Sequence, residues 1–285
     1  MADRTFETLA DGGGFFEGPR WHDGRWWVSD FYRHTVFAIA PDGTTEEVMT
    51  VEAQPSGLGW LPDGSLLVVS MRDHKVLRRA PDGTVSVHAD IAEHCGGLAN
   101  DIVVTPEGHA YVGNFGFDLM AGESPAAAVL VHIAPDGTLD VAAEDLRFPN
   151  GAVITPDGST LMVGETMGGR YTAFSLAGDG ALADRRVWAT VEGVAPDGCT
   201  LDAEGCIWAA DALGNRLVRV AEGKGVVDEI PGPDGLGVYA CMLGGEDGTT
   251  LLACAAPDYF EHNRAVAREA ILATTTVDVP HAGLP

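Results

Sequence analysis

The amino-acid sequence predicts an all-β protein, a six-bladed β-propeller with four antiparallel strands per blade. Three features carry this reading: two interleaved series of acid-Gly turns, the near-constant step within each series, and short β-rich runs between the turns. Two hairpin turns in each repeating period leave four strands per period, which is the pattern of a propeller blade.

The first series has its acidic residue at Asp23, Asp63, Glu107, Asp157, Glu204 and Asp247, with steps of 40, 44, 50, 47 and 43 residues. Six members give six blades. The second series, Asp42, Asp82, Asp136, Asp179 and Glu222, has steps of 40, 54, 43 and 43 residues. Acid-Gly pairs suit tight hairpins because glycine accepts a positive φ without a Cβ clash.

The runs after the first-series turns are Trp26–Ser29, Leu66–Ser70, Ala110–Gly113, Leu161–Gly164, Ile207–Ala210 and Leu251–Cys254. They are short, largely apolar stretches, as expected of strands buried between blades. A second set, Thr35–Ile39, Lys75–Arg79, Val129–Ile133, Tyr171–Ser175, Arg216–Val220 and Ala270–Thr274, leads into the second-series turns. The last blade lacks a second-series turn. The N-terminal FETLA and the C-terminal TTTVDVP both read as strands, and pairing the two ends within one blade would close the ring. The stretch Tyr259–Ala270 reads as a short helix or a long loop. No Pro/Ser-rich linker divides residues 1–285, so one domain is expected.

Composition narrows the functional classes. The 285 residues carry a formal net charge of −25, and much of the acid sits in the turns. A nucleic-acid partner would need a basic footprint, and an anionic membrane surface is disfavoured for the same reason. No run approaches the length of a membrane span. Five cysteines, with no CxxC, argue against a disulfide framework or a zinc ribbon and for small buried thiols. The N-terminus has no apolar signal region, so a cytoplasmic protein is expected, as a monomer or small homo-oligomer.

Function is written at the starts of the inner strands. Aligned on their turns, these strands read EGPRWHDG, SGLGWLPDG, NDIVVTPEG, NGAVITPDG, DGCTLDAEG and ACMLGGEDG. Their first residues are Glu17, Ser56, Asn100, Asn150, Asp197 and Ala240. Equivalent positions of inner strands meet around one axis. Two carboxylates and two amides would therefore converge at one channel mouth. Paired buried carboxylates resist ionisation unless a positive charge joins them. A hard divalent cation with oxygen ligands removes that cost, and Ca²⁺ suits this donor set best. Zn²⁺ or Mn²⁺ in an open oxygen site is the alternative.

On these residues the chain resembles the gluconolactonase/regucalcin/luciferin-regenerating-enzyme family. The resemblance rests on Glu17-Gly18-Pro19, Asn100-Asp101, Pro149-Asn150-Gly151 and Pro196-Asp197-Gly198, followed by LDAEGCIWAA. It implies a six-bladed propeller and a catalytic divalent metal held by Glu17, Asn150 and Asp197, with Asn100 close by. It also implies hydrolysis of a small lactone. Phosphotriester cleavage, a lyase reaction on the same site and a non-enzymatic calcium-binding propeller are the alternatives. Sugar-lactone members carry an arginine two residues before the Asn-Asp pair; here that residue is Leu98. A substrate-contacting acid of those members aligns with Asp118. Losing the arginine removes a bidentate clamp and points to a less hydroxylated lactone.

Among these residues Asp197 is expected to take the proton from the attacking water, with Glu17 chiefly a ligand. Asn100, Asp118, Ser56 and Phe115 are candidate substrate contacts. Phe117 and Trp60 are further candidates for an apolar lining near the mouth. The insertion Phe117–Ala128 is expected to cap the channel. His132 reads as structural, and Cys199 has no paired His to make it a nucleophile.

Overall fold

The computed structural model describes residues 4–285, which form six four-stranded antiparallel sheets. The inner strands are Phe16–His22, Pro55–Trp60, Ala99–Val104, Pro149–Ile154, Pro196–Leu201 and Gly237–Gly244. Within each of the first five sheets the strands follow chain order from the axis outwards. The runs anticipated after the first-series turns, and the second set that follows them, all fall inside observed strands, extended by at most two residues at either end.

Both acid-Gly turn series lie on one face of the ring, called the lower face here. Aspartates of these turns accept a backbone N–H two residues on, as in Asp42–Thr44 and Asp136–Thr138, both 2.9 Å. These backbone hydrogen bonds hold the Asp42 and Asp136 carboxyls below their usual range. The turn glycine takes the required conformation, with Gly64 at φ +81°. Much of the negative charge is thus turn chemistry.

The ring closes as anticipated. The N-terminal strand Glu7–Gly13 is the outermost strand of blade six and pairs with Ala270–Thr276, with Thr8 opposite Ala273. The C-terminal TTTVDVP departs from expectation beyond Thr276. The chain there leaves the sheet and crosses the lower face, with bridges from His281 to Asp202 and from Leu284 to Ile154. Between Tyr259 and Ala270 lies a single short helix, Glu261–Arg264, within a loop.

Apolar side chains fill the spaces between blades. Five buried clusters each join two neighbouring blades, as where Val153, Met162 and Tyr171 meet Cys199, Leu201 and Ile207. The sixth joins blades six and one and continues over the mouth through Phe115, Phe117 and Phe148. All five cysteines are free and four are buried.

Three buried acids at the ends of second strands fasten the chain entering the inner strands. Asp30 accepts from the Gly14 and Phe15 amides, Glu165 from Arg147 and Asp211 from Ala195. Glu165 and Asp211 also pair with Arg170 at 2.8 Å and Arg216 at 3.0 Å. Sequence reasoning passed over this device, although an acid five residues before an arginine recurs in GETMGGR and ADALGNR.

The inner strands approach one another most closely just after their upper ends. A Cβ on Gly151 would lie 2.5 Å from the Asp197 carbonyl oxygen and 2.8 Å from the Cys199 nitrogen. Both are backbone atoms and cannot swing aside. Gly151→Ala should cost about 1–3 kcal/mol from overpacking and lower the Tm by several degrees. Gly178→Ala, where a Cβ meets nothing within 4 Å, should shift the Tm by far less. Equal melting of the two variants would contradict this packing.

Candidate functional site

The geometry of the upper mouth begins with a fault in each inner strand. In blades two to five the pairing register slips between the first and fourth residues, as between Pro149/Ala152 and Pro196/Cys199. In blade one the slip falls between Glu17 and Arg20. Such bulges re-aim side chains and are common beside active sites. Here they lie at the level of Glu17, Ser56, Asn100, Asn150 and Asp197.

In blade six the slip lies between Val238 and Ala240, so Tyr239 is the extra residue. Alignment on the turns had put Ala240 in the ring. Instead Tyr239 lines the mouth, while Ala240 is buried against Gly198. The inner strand of blade six starts earlier and its slip spans fewer residues, which a count from the turn does not detect.

The mouth opens into a cavity of about 220 Å³ with Glu17, Asn100, Asn150 and Asp197 among its lining residues. Larger depressions exist, such as one of about 680 Å³ on the lower face beside His109 and Leu284, but they lie away from these residues. Both carboxylates are partly accessible through the cavity although deeply surrounded by protein. Burial pushes the Glu17 carboxyl well above its usual range, and the charges of Asp197 and Asp101 push the same way. Burial likewise raises Asp197 from 3.8 to about 7, with Asp101 adding to the rise.

Among the described residues neither Glu17 nor Asp197 has an Arg, Lys or His ion-pair partner. Glu17 accepts the Gly18 amide at 2.8 Å. The Asn150 amide nitrogen donates to Thr166 Oγ1 at 3.1 Å, and Thr166 Oγ1 donates to the Pro196 carbonyl at 2.6 Å. This chain fixes the amide and leaves Asn150 Oδ1 as an acceptor. Asn100 Oδ1 accepts from Ser56 Oγ at 3.1 Å, so its Nδ2 remains a donor.

Among the described residues no cluster gathers three or more His, Cys, Asp or Glu side chains. The donor set is therefore two carboxylates plus amide oxygens, with water completing any coordination sphere. That set fits a hard divalent cation, and two raised carboxyls with no ion-pair partner among the described residues are the observation that favours one.

The remaining expectations divide. Phe115 lines the cavity and packs on Phe148 at 4.2 Å between centroids. Leu119 and Met120, from the blade-three insertion, also line it. Ser56 is buried behind Asn100 and is not part of the lining. Asp118 is exposed, and its carboxylate accepts the Ala121 amide at 2.9 Å within the insertion's own turn. It does not line the cavity. Trp60 ends its strand at the lower face, where its ring stacks on His22 at 3.9 Å. It is remote from the mouth because a side chain at the end of an inner strand lies by the turn.

Two charged residues beneath the ring escaped sequence reasoning. Arg20 is buried and donates to Asp101 Oδ1 at 2.6 Å and to the carbonyls of Leu58, Pro19 and Ile102. Asp101 also accepts the Ile102 amide. This satisfied pair fills the channel below the carboxylates. The available signal was a charged residue beyond the ring position in each of two inner strands, Arg20 in EGPRW and Asp101 in NDIVV.

Comparison with known proteins agrees with this architecture. The chain is 27% identical over 248 residues to a protein of Haloferax volcanii named pentonolactonase XacC, covering 81% of this chain and 82% of that one. Its fold matches a luciferin-regenerating enzyme with TM-score 0.83 at 18% identity, covering 98% of both chains. It also matches a calcium-binding protein, regucalcin, from Agrobacterium tumefaciens, with TM-score 0.81 at 20% identity, covering 100% of this chain and 96% of that one. Residues 15–256 match the family described as SMP-30/Gluconolactonase/LRE-like region, and the chain belongs to that family.

Proposed function

We propose that this chain, acting as one propeller domain, hydrolyses a small lactone with the help of one divalent cation, Ca²⁺ by the chemistry of the donors. The observation that carries the reading is that Glu17, Asp197 and two amides line one cavity while neither carboxylate has an ion-pair partner among the described residues, the nearby Arg20 being paired with Asp101. Family membership and the pentonolactonase likeness support lactone chemistry.

Glu17, Asn150 Oδ1 and Asp197 would hold the ion, with Asn100 beside it. When bound, such a cation polarises an ester carbonyl and lowers the pKa of water. Asp197 takes a proton from the attacking water as its oxygen bonds to the carbonyl carbon. The ring C–O bond then breaks, and the alkoxide leaves with that proton to give a hydroxy acid. Asn100 Nδ2 holds a substrate oxygen, and Ser56 keeps that amide in place. Thr166 does the same for Asn150.

The walls bear on the substrate. Leu98, Met71, Phe115 and Phe148 line the cavity and, among the described residues, no Arg, Lys or His does; Gln54 and Tyr32, which also line it, are engaged by Met71, Arg72 and the Tyr259 carbonyl. A polyhydroxylated sugar lactone would leave many hydroxyls without partners on such walls. An alkyl γ- or δ-lactone should therefore be hydrolysed faster than gluconolactone, and a chelator should abolish both activities until Ca²⁺ is restored. Preference for the sugar would remove the apolar substrate; full activity in chelator would remove the metal.

Asp197→Asn should leave the fold intact and lower kcat by at least about 100-fold. It should also stabilise the metal-free protein at neutral pH. A folded carboxyl raised from 3.8 to about 7 costs nothing below the lower value, where it is protonated in both states. The cost grows as pH rises and is complete above the upper value. The neutral isostere escapes it, so the Tm of the metal-free variant should exceed that of the parent by about 2 °C or more at pH 8 and match it at about pH 3. Near-normal kcat in the variant would overturn the role given to Asp197.

A further inference from the structure

The large apolar side chains exposed among the described residues fall into two groups. Val85, Val87, Val141, Val187, Val226 and Val227 lie on the outermost strands of their blades. Scattered valines of this kind are ordinary. Met120, Met167, Leu213, Phe260 and Val266 all lie on upper-face loops, on blades three, four, five and six.

Three of that second group belong to the cavity itself. Met120, Met167 and Leu213 line it while remaining 48%, 43% and 74% exposed. They come from three consecutive blades and carry the apolar wall from the carboxylates out to solvent. Two are methionines, whose unbranched side chains adapt to a guest of variable shape. Asp118 and Glu123, the charged residues of the blade-three insertion, are tied to its own turn, Glu123 accepting the Asp118 amide. Among the described residues the cavity therefore offers no cation for an anionic substituent, and two of its neutral polar side chains are already engaged, Gln54 with Met71 and Arg72 and Tyr32 with the Tyr259 carbonyl.

We propose that the substrate is an uncharged lactone bearing a linear hydrocarbon chain, its ring over Glu17, Asn150 and Asp197 and its chain leaving the cavity along Met120, Met167 and Leu213. The assignment rests on the lactonase reading above and adds the substituent to it. Water would be displaced from the rim by the chain, so affinity grows with each methylene until the chain passes Leu213. The open end of the cavity sets no sharp upper length, and a negative charge on the chain would meet no cationic side chain along this wall and would be repelled by the acidic protein.

The test is a homologous series of 5-alkyl δ-lactones from methyl to decyl, assayed for kcat/KM on the Ca²⁺-loaded protein. Binding of the matching 3-alkylcyclohexanones, in which a methylene replaces the ring oxygen and which need no turnover, is measured by calorimetry on the same protein. Both should rise about two- to fourfold per methylene, the range expected for partial to full burial, and then level off. A chain ending in a carboxylate should lose at least tenfold against its methyl-ended equivalent. In Met167→Gln/Leu213→Gln the ratio of long-chain to short-chain affinity should fall about tenfold. Hydrolysis at a rate independent of chain length, with flat ketone binding, would overturn the chain assignment while leaving the lactonase reading intact. Absence of hydrolysis at every length, and of gluconolactone hydrolysis as well, would overturn both.

Discussion

Everything at the upper mouth depends on holding two carboxylates close together in a buried place. Glu17 and Asp197 come from blades one and five and share no cationic side-chain partner among the described residues. Burial raises both above the usual carboxylate range, and the charges of Asp197 and Asp101 add to the rise at Glu17, that of Asp101 to the rise at Asp197. A protein that folds with such a pair carries a standing cost that only a bound cation or protonation relieves. The packed blades, each locked to its neighbours by an apolar cluster, supply the stability that tolerates it.

The convergence itself is a backbone device. A register slip near the upper end of every inner strand turns one side chain toward the axis, and a small residue usually follows it. The followers are Gly18, Gly57, Gly151, Gly198 and Ala240. Asp101 is the exception, and it is matched by Arg20 from blade one at 2.6 Å. The ion pair takes up space that a small residue would leave, and the cost of burying it is offset by hydrogen bonds on every side of the guanidinium. The negative charge of Asp101 still reaches the ring and adds to the rise of both carboxyls above it.

Much of this was legible because repetition is legible. Turns spaced by 40–50 residues fixed the blade number, the face on which the turns lie and the approximate depth of Glu17, Asn100, Asn150 and Asp197. Depth counted from the turn fails where a strand starts early or its slip differs, and so Ala240 stood in place of Tyr239. Trp60 was misplaced by treating a strand's lower end as its upper one. Asp118 could not be settled from spacing, because an insertion folds on its own hydrogen bonds and the direction of its side chains follows those. The Arg20–Asp101 pair joins blades far apart in sequence, and no local pattern announces such a contact. Helix and strand periodicity are equally silent about a C-terminal tail that crosses the lower face by isolated bridges.

The central claim is that Glu17, Asn150 and Asp197 form one cation site. Diffraction from crystals grown with Ca²⁺, with anomalous data to identify the ion, tests it most directly. The account predicts a single ion at the channel mouth with oxygens of those three side chains at about 2.3–2.6 Å and water filling the remaining positions. An ion bound elsewhere, or none at the mouth while Glu17 and Asp197 stay side by side, would contradict it.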